Sequence, residues 1–208
     1  MPSTSTPRAK RVALVSEGPT GKDFPGPDGY DEIVGVNGVV SLFECTWWAF
    51  CDPEFYMWHA QNKPIRILTG RRLELQVNAG NLRAKGMPGR FHDDVKSGRL
   101  IFSDELPLLP PMPRSVPIHG AGSQKGTARC DHYGGLMGML AAWVAGGRGA
   151  TVDVWGVDLG GMLDAHGAKQ PGRHPGRWEG ERRIWDGVLE GFRRSGELII
   201  NWTPPEER

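Results

Sequence analysis

The sequence predicts a three-layer α/β fold, in which a mostly parallel sheet forms a single domain with helices on its faces. Three observations support this prediction. Short apolar runs such as residues 11–16 are nearly continuous, which is typical of parallel strands buried on both faces. Helical patterns alternate with these runs. The 30 glycines and 17 prolines are spread along the 208 residues without a period, as expected for many short elements joined by loops.

The predicted strands are short, and most of them end in a polar residue or a turn. They comprise residues 11–16, 32–37, 47–52, 65–69, 100–102, 150–156 and 198–200. Strands that alternate with helices in this way form a Rossmann-like arrangement, whose ligands bind beyond the carboxyl ends of the strands. We therefore expect a Rossmann-like nucleotide-binding domain over residues 11–204, preceded by a disordered tail, residues 1–10.

Three helices are predicted from apolar residues at helical spacing and from the residues at their ends. Pro53 suits the opening position of the first helix, Asp131 suits the N-cap of the second, and Gly196 ends the third. A mixed pattern of helix and loop covers residues 71–98. The three helices comprise residues 54–61, 131–145 and 177–195.

The charge balance predicts no broad attraction to nucleic acid or to a membrane surface. The chain carries 25 basic and 24 acidic residues, a formal net charge of +1. A nucleic-acid contact through a local basic pair such as Arg193-Arg194 stays open. Three scattered cysteines argue against a disulfide framework, and no apolar run reaches the ~20 residues that span a bilayer. These features predict a soluble, cytoplasmic protein that does not enter a membrane.

The glycine-rich loop after the first predicted strand is a candidate contact for a nucleotide. Gly18, Pro19 and Thr20 follow that strand almost directly. The loop does not match the P-loop of nucleoside-triphosphate hydrolases, because Ser16 replaces its first glycine and Asp23 follows its lysine. A glycine-rich turn at this place is still where an α/β sheet binds a nucleotide. The alternative is a tight turn without a ligand.

Polar residues also stand at the ends of three other predicted strands, at what would be the same edge of the sheet. They are Asn37, Asp52 and Asp158. The Asn37 amide both donates and accepts hydrogen bonds, which suits a nucleobase or ribose edge. The two carboxylates suit a ribose, a sugar hydroxyl or a Mg²⁺ ion that bridges phosphates, and Asp52 could instead cap the next helix. The cysteines and histidines lack the spacing of zinc ligands.

Two histidines lie in a glycine- and proline-rich stretch after the sixth predicted strand. They are His166 and His174, within residues 160–176. Such a loop can close over a bound ligand. Because imidazole titrates near neutral pH, either histidine is a candidate general base. A surface histidine without a chemical role is the alternative.

Three segments share a pattern with a known superfamily. They are residues 15–20 (Val-Ser-Glu-Gly-Pro-Thr), residues 34–37 (Val-Gly-Val-Asn) and residues 133–158. They resemble, in order, the strand and Gly-Pro-Ser loop, the second-strand asparagine, and the later helix with its Gly-x-Asp strand in the bacterial CMP-sialic-acid-dependent sialyltransferases and the related motility-accessory-factor proteins. That superfamily also includes a pterin pyrophosphokinase and small phage and prophage members.

The resemblance implies that a nucleotide is contacted by two loops and by the start of one helix. Glu17 stands where the loop of these proteins usually carries an asparagine. The implied nucleotide contacts are Gly18, Pro19, Thr20, Asn37, Gly134 and Gly135.

Three functions follow as hypotheses. The first is a glycosyltransferase-like enzyme that uses a nucleotide-activated donor, with His166 or His174 as base and with Arg173 and Arg177 compensating the charge of the leaving phosphate. The second is a pyrophosphokinase-like transferase that uses ATP and Mg²⁺. The third is a nucleotide-binding or host-interaction protein without catalysis. The expected ligand is a nucleotide or a nucleotide-sugar, and the acceptor stays open.

Overall fold

The computed structural model describes residues 8–59, 65–70, 88–106, 134–169 and 175–204. These residues form seven parallel strands in one sheet, ordered β5-β4-β3-β2-β1-β6-β7. The strands are β1 (Arg11–Val15), β2 (Glu32–Val36), β3 (Trp47–Phe50), β4 (Arg66–Thr69), β5 (Leu100–Phe102), β6 (Ala150–Trp155) and β7 (Leu198–Asn201).

Helices connect the strands and cover the sheet. Short 3-10 helices follow three of the strands, at Pro19–Asp23, Asn37–Ser41 and Ser103–Glu105. The longer helices are α1 (Pro53–His59), α2 (Pro88–Lys96), α3 (Gly134–Gly146) and α4 (Pro175–Ser195).

The α/β fold predicted from the sequence is confirmed, and each predicted strand is present over nearly the expected residues. Helix α1 begins at Pro53 as predicted, and α2 lies within the stretch that gave a mixed pattern. The proposed N-cap Asp131 lies outside the described residues. So does the predicted disordered tail, apart from residues 8–10.

Alternate residues of each strand face opposite sides of the sheet, so both faces carry an apolar core. Val12 and Leu14 of β1 pack on the side of α3 and α4, whereas Ala13 and Val15 pack on the opposite side. This burial on both faces explains why the strands appear in the sequence as continuous apolar runs.

Helix α3 approaches the centre of the sheet unusually closely. A Cβ atom added to Gly138 would lie 2.6 Å from Leu14 Cδ1 and 2.5 Å from Val36 Cγ2. Near the other end of the helix, the Ala145 carbonyl accepts a hydrogen bond of 3.0 Å from Nζ of Lys10, just before β1 begins. The carboxyl end of α3 therefore lies at the amino edge of the sheet, and its first residues, Gly134 and Gly135, lie toward the carboxyl edge.

Within the described part of the chain, we find no helix that combines the length and the apolar character needed to cross a membrane.

Cys45 is partly buried against Gly35 of β2, and its thiol is expected to react slowly with thiol reagents. Burial raises the pKa of its thiol to about 12, so very little of the reactive thiolate forms at pH 8. In a variant in which Cys51 and Cys130 are replaced by alanine, we expect the native protein to react with a disulfide reagent about a hundredfold or more slowly than the denatured chain. Equal rates in the two states would contradict this burial.

Candidate functional site

The strand order places a topological switch point between β1 and β6. From β1 the chain builds the sheet outward through β2, β3, β4 and β5, whereas β6 and β7 lie on the other side of β1. The loops after β1 and β6 therefore leave adjacent strands in opposite directions. In open α/β sheets, ligands bind in the crevice outside such a pair of carboxyl ends.

Hydrogen bonds fasten the loops after β1 and β6 to each other. The Gly18 N–H donates to the Gly156 carbonyl over 2.7 Å. The Thr20 N–H donates to Asp158 Oδ2 over 2.7 Å, and the Thr20 hydroxyl donates to Asp158 Oδ1. Both carboxylate oxygens of the buried Asp158 thus accept from Thr20. The structure shows a structural role for this pair, and contact of either residue with a ligand stays a prediction.

Glycines make this close contact between the two loops possible. A Cβ atom added to Gly18 would lie 2.3 Å from the Gly156 oxygen and 2.6 Å from Asp158 Oδ2. On the other loop, a Cβ atom added to Gly161 would lie 3.4 Å from Cγ of Pro19. Sequence reasoning assigned Gly18 and Pro19 to a nucleotide, but their observed neighbours belong to the loop after β6.

Glu17 joins the loops after β1, β2 and β6, a role that sequence reasoning missed. Its carboxylate Oε1 accepts a hydrogen bond of 2.7 Å from the Gly38 N–H, at the end of β2. Its backbone carbonyl accepts a bond of 2.8 Å from the Ala165 N–H, in the loop after β6. The only signal in the sequence is a carboxylate in a glycine-rich turn directly after an apolar strand.

The groups around Glu17 shift the pKa of its carboxyl group in opposite directions. Burial raises the pKa of its carboxyl group, while the hydrogen bonds from the Gly38 N–H and the Asn37 side chain lower it. The negative charge of Asp164 raises the same pKa, and the positive form of His166 lowers it. The pKa of Glu17 is raised on balance, so burial outweighs the donors that stabilise the carboxylate.

Asn37 has a strained backbone and an incompletely bonded side chain. Its φ angle is 52°, in the left-handed region that few non-glycine residues adopt. Its backbone carbonyl accepts a bond of 2.9 Å from Nε1 of Trp48. Its side-chain oxygen Oδ1 is buried and has no hydrogen-bond partner among the described residues. Asparagine is one of the residues that tolerate this conformation, which explains why it can follow β2 here.

The loop after β6 is held by a second buried carboxylate, Asp164. Its Oδ1 accepts hydrogen bonds from the backbone N–H groups of His166, over 2.9 Å, and Ala168, over 2.8 Å. The turn places His166 on the surface, within electrostatic range of Glu17. The structure therefore brings His166 to the same edge of the sheet as Asn37.

The remaining predicted site residues are placed less closely or are not described. Asp52 is exposed and directly precedes α1. Three strand spacings, about 14 Å, separate its strand β3 from β6, so Asp52 and Asp158 are too far apart to hold one ion together. Arg177 lies in the first turn of α4, but its side chain is not described. His174 and Arg173 lie outside the described residues.

Within the described ranges, no three histidine, cysteine, aspartate or glutamate side chains are grouped so that they could hold a metal ion. No family model, curated protein or solved structure matches this chain. The resemblance to the sialyltransferase-like superfamily therefore stays a prediction.

Glu17 is expected to make stability depend on pH in a definite direction. Because its pKa is raised above 4.5, the folded chain binds this proton more tightly than the unfolded chain does. The free energy of unfolding then falls as pH rises from about 4.5 through the raised pKa, and it stays reduced above that pKa. The Glu17→Gln variant has no charge here and should lose this contribution.

The measurement is chemical denaturation of the wild type and Glu17→Gln between pH 4 and pH 8. As pH rises, we expect the unfolding free energy of the wild type to fall relative to that of Glu17→Gln. Glu54→Gln removes the same charge from an exposed position of α1 and serves as the control. Parallel pH profiles for the wild type and Glu17→Gln would contradict the raised pKa.

Proposed function

We propose that this protein is a glycosyltransferase-like enzyme that binds a nucleotide-activated donor at the carboxyl ends of β1, β2 and β6. The observation that carries the proposal is Asn37. It has a left-handed backbone and a buried side-chain oxygen without a described partner, and it lies beside the switch-point loops. Such a residue suits a ligand that supplies the missing hydrogen bond.

The energetic cost of the Asn37 conformation supports a functional role. A strained backbone of this kind costs about 1–3 kcal/mol, and an unsatisfied buried acceptor costs a similar amount. Among the described residues, Asn37 and Leu159 are the non-glycine residues with positive φ, and both follow strands at the carboxyl edge. Strain that collects at one edge of a fold is characteristic of ligand sites.

The proposed chemistry is transfer of a sugar from the nucleotide phosphate to an acceptor hydroxyl. His166 accepts the hydroxyl proton while the acceptor oxygen forms a bond to the anomeric carbon. The bond between that carbon and the phosphate oxygen breaks, and the phosphate keeps the electron pair. Arg173 and Arg177, which the sequence places just before and within the first turn of α4, would compensate the added negative charge.

Nucleotide binding is tested first, by the thermal stabilisation that CMP, UDP, GDP and ADP compounds cause. We expect at least one of them to raise the melting temperature of the wild type. We expect Asn37→Ala to weaken binding of that nucleotide about tenfold, the equivalent of one good hydrogen bond. Circular dichroism must show that the variant is folded. No stabilisation by any of the nucleotides would overturn the proposal.

Catalysis is tested separately with His166→Ala, once the bound nucleotide is known. We expect about a 10²- to 10⁴-fold loss of transfer rate and unchanged nucleotide affinity. His92→Ala, which removes an exposed histidine from α2, is the matched control. If His166→Ala keeps full activity while Asn37→Ala abolishes binding, His166 is not the base. If no turnover of any bound sugar nucleotide is found, the hypothesis of a non-catalytic nucleotide-binding protein is favoured.

A further inference from the structure

We propose that Glu17 fixes the hydrogen-bond polarity of Asn37, that is, which end of its side-chain amide faces the ligand. The site then selects a nucleotide group that donates a hydrogen bond and rejects one that accepts. This inference rests on the proposed nucleotide binding and adds to it the chemical class of the group that is recognised. The residues that carry it are Glu17, Asn37 and Gly38, at the junction of the loops after β1 and β2.

The orientation of the Asn37 amide follows from the chemistry of its neighbour. An ionised carboxylate accepts hydrogen bonds and cannot donate them. Glu17 Oε1 already accepts from the Gly38 N–H over 2.7 Å. The Asn37 side chain also lowers the pKa of Glu17, as a donor to the carboxylate does. The NH₂ group of Asn37 therefore faces Glu17, and this direction agrees with an Oδ1 atom that has no described partner.

With this orientation, Asn37 can accept a hydrogen bond from a ligand but cannot donate one to it. The Asn37 Oδ1 atom is a pure acceptor, so a ligand N–H or O–H placed against it forms a hydrogen bond. A ligand carbonyl in the same place would put two acceptors together and leave both unsatisfied, which costs more than the loss of one bond. Because Oδ1 is closed off from solvent, the ligand must displace neighbouring atoms to reach it.

Two parts of a nucleotide supply such a donor. One is the exocyclic amino group of cytosine or adenine, which uracil and hypoxanthine replace with a carbonyl. The other is the ribose 2′-hydroxyl, which 2′-deoxynucleotides lack. Pairs of ligands that differ at one of these groups distinguish the two sources. The base pairs also differ at the neighbouring ring nitrogen, which is an acceptor in cytosine and adenine and carries a hydrogen in uracil and hypoxanthine.

The experiment measures dissociation constants of the wild-type protein for CMP against UMP, AMP against IMP, and CMP or AMP against the 2′-deoxy form. We expect a preference of about tenfold or more for the donor-bearing member of one pair. In Glu17→Gln, the new amide can donate to Asn37 Oδ1, so the Asn37 NH₂ group turns toward the ligand. An amino-group preference should then disappear or reverse, while Glu54→Gln keeps it.

A second readout does not depend on a folded variant. The side-chain amide resonances of Asn37 in ¹⁵N-labelled wild-type protein should shift as Glu17 titrates, because the amide donates to the Glu17 carboxylate. Resonances that stay constant through this titration would contradict the contact.

The possible results separate this inference from the proposed function. If none of these nucleotides binds, this inference is overturned, and the proposed function is overturned as well if the CMP, UDP, GDP and ADP compounds also fail to stabilise the protein. If nucleotides bind but every pair binds equally, the polarity of Asn37 is overturned and the nucleotide site stands. If the wild type prefers an amino-bearing base and Glu17→Gln keeps that preference, the selection comes from another residue and the role of Glu17 is overturned.

Discussion

Gly156→Ala is expected to lower the free energy of unfolding by about 3–5 kcal/mol, through strain and forced overpacking together. Gly156 has a φ angle of 70°, where an alanine is strained. A Cβ atom there would lie 2.1 Å from the Ser16 oxygen and 2.9 Å from Gly21 Cα. Both are backbone atoms, so the loops after β1 and β6 would have to move apart.

Gly149→Ala is a closely matched control for this prediction. Its φ angle is 77°, but an added Cβ atom has no described atom within 4 Å. We expect it to lose only about 1–2 kcal/mol, the cost of left-handed alanine alone. Chemical denaturation of the two variants compares them directly. Equal losses would show that the loops after β1 and β6 do not pack as closely as the structure indicates.

Asp94→Ala is expected to cost about 3–5 kcal/mol of unfolding free energy, because it removes hydrogen bonds from Tyr56 and Arg99 to a buried carboxylate, each worth about 1.5–3 kcal/mol. The Asp94 side chain is 7% exposed and accepts a hydrogen bond of 2.9 Å from Arg99 Nη1. It also accepts a bond of 2.7 Å from the Tyr56 hydroxyl, so it ties α1 and α2 to the chain just before β5. Alanine would remove the acceptor from both donors.

The control for Asp94→Ala is Asp93→Ala, on the same helix. Asp93 is exposed, so its replacement removes an equal charge and an equal side chain without disturbing the buried contacts. We expect a change of at most about 0.5 kcal/mol for a surface position of this kind. The midpoint of urea denaturation measures both variants. Similar midpoints would mean that the pair of Asp94 with Arg99 contributes little to stability.

The sequence predicted which polar residues follow the strands, but not which groups those residues contact. Asn37 was singled out because it follows an apolar strand, and the structure shows that it is strained and incompletely bonded. Thr20, in the glycine-rich loop, and Asp158, after the sixth strand, were also predicted to contact a ligand, and the structure shows that they bond to each other. A polar residue at a strand end has the same appearance in the sequence whether its partner is a ligand or another loop.

Glu17 shows why a residue can be missed altogether. In the sequence it is one charged residue in a glycine-rich turn, and the resemblance to sialyltransferase-like proteins marks it as a departure. Its contacts are with Gly38 and Ala165, which lie on the loops after two other strands. Those contacts exist because β2 and β6 flank β1, and the order of strands is not encoded in any single segment.

The apolar pattern was sufficient to predict the seven strands of a mostly parallel sheet and three of the longer helices, because a strand buried on both faces must be apolar along its length. The partners of the polar groups were decided only by the tertiary structure. Thr20 and Asp158 are 138 residues apart, and they meet because β6 adds beside β1 after the chain has built four other strands. Local sequence determines which segments are buried, whereas the order in which buried strands pair determines which loops, and therefore which chemical groups, come together.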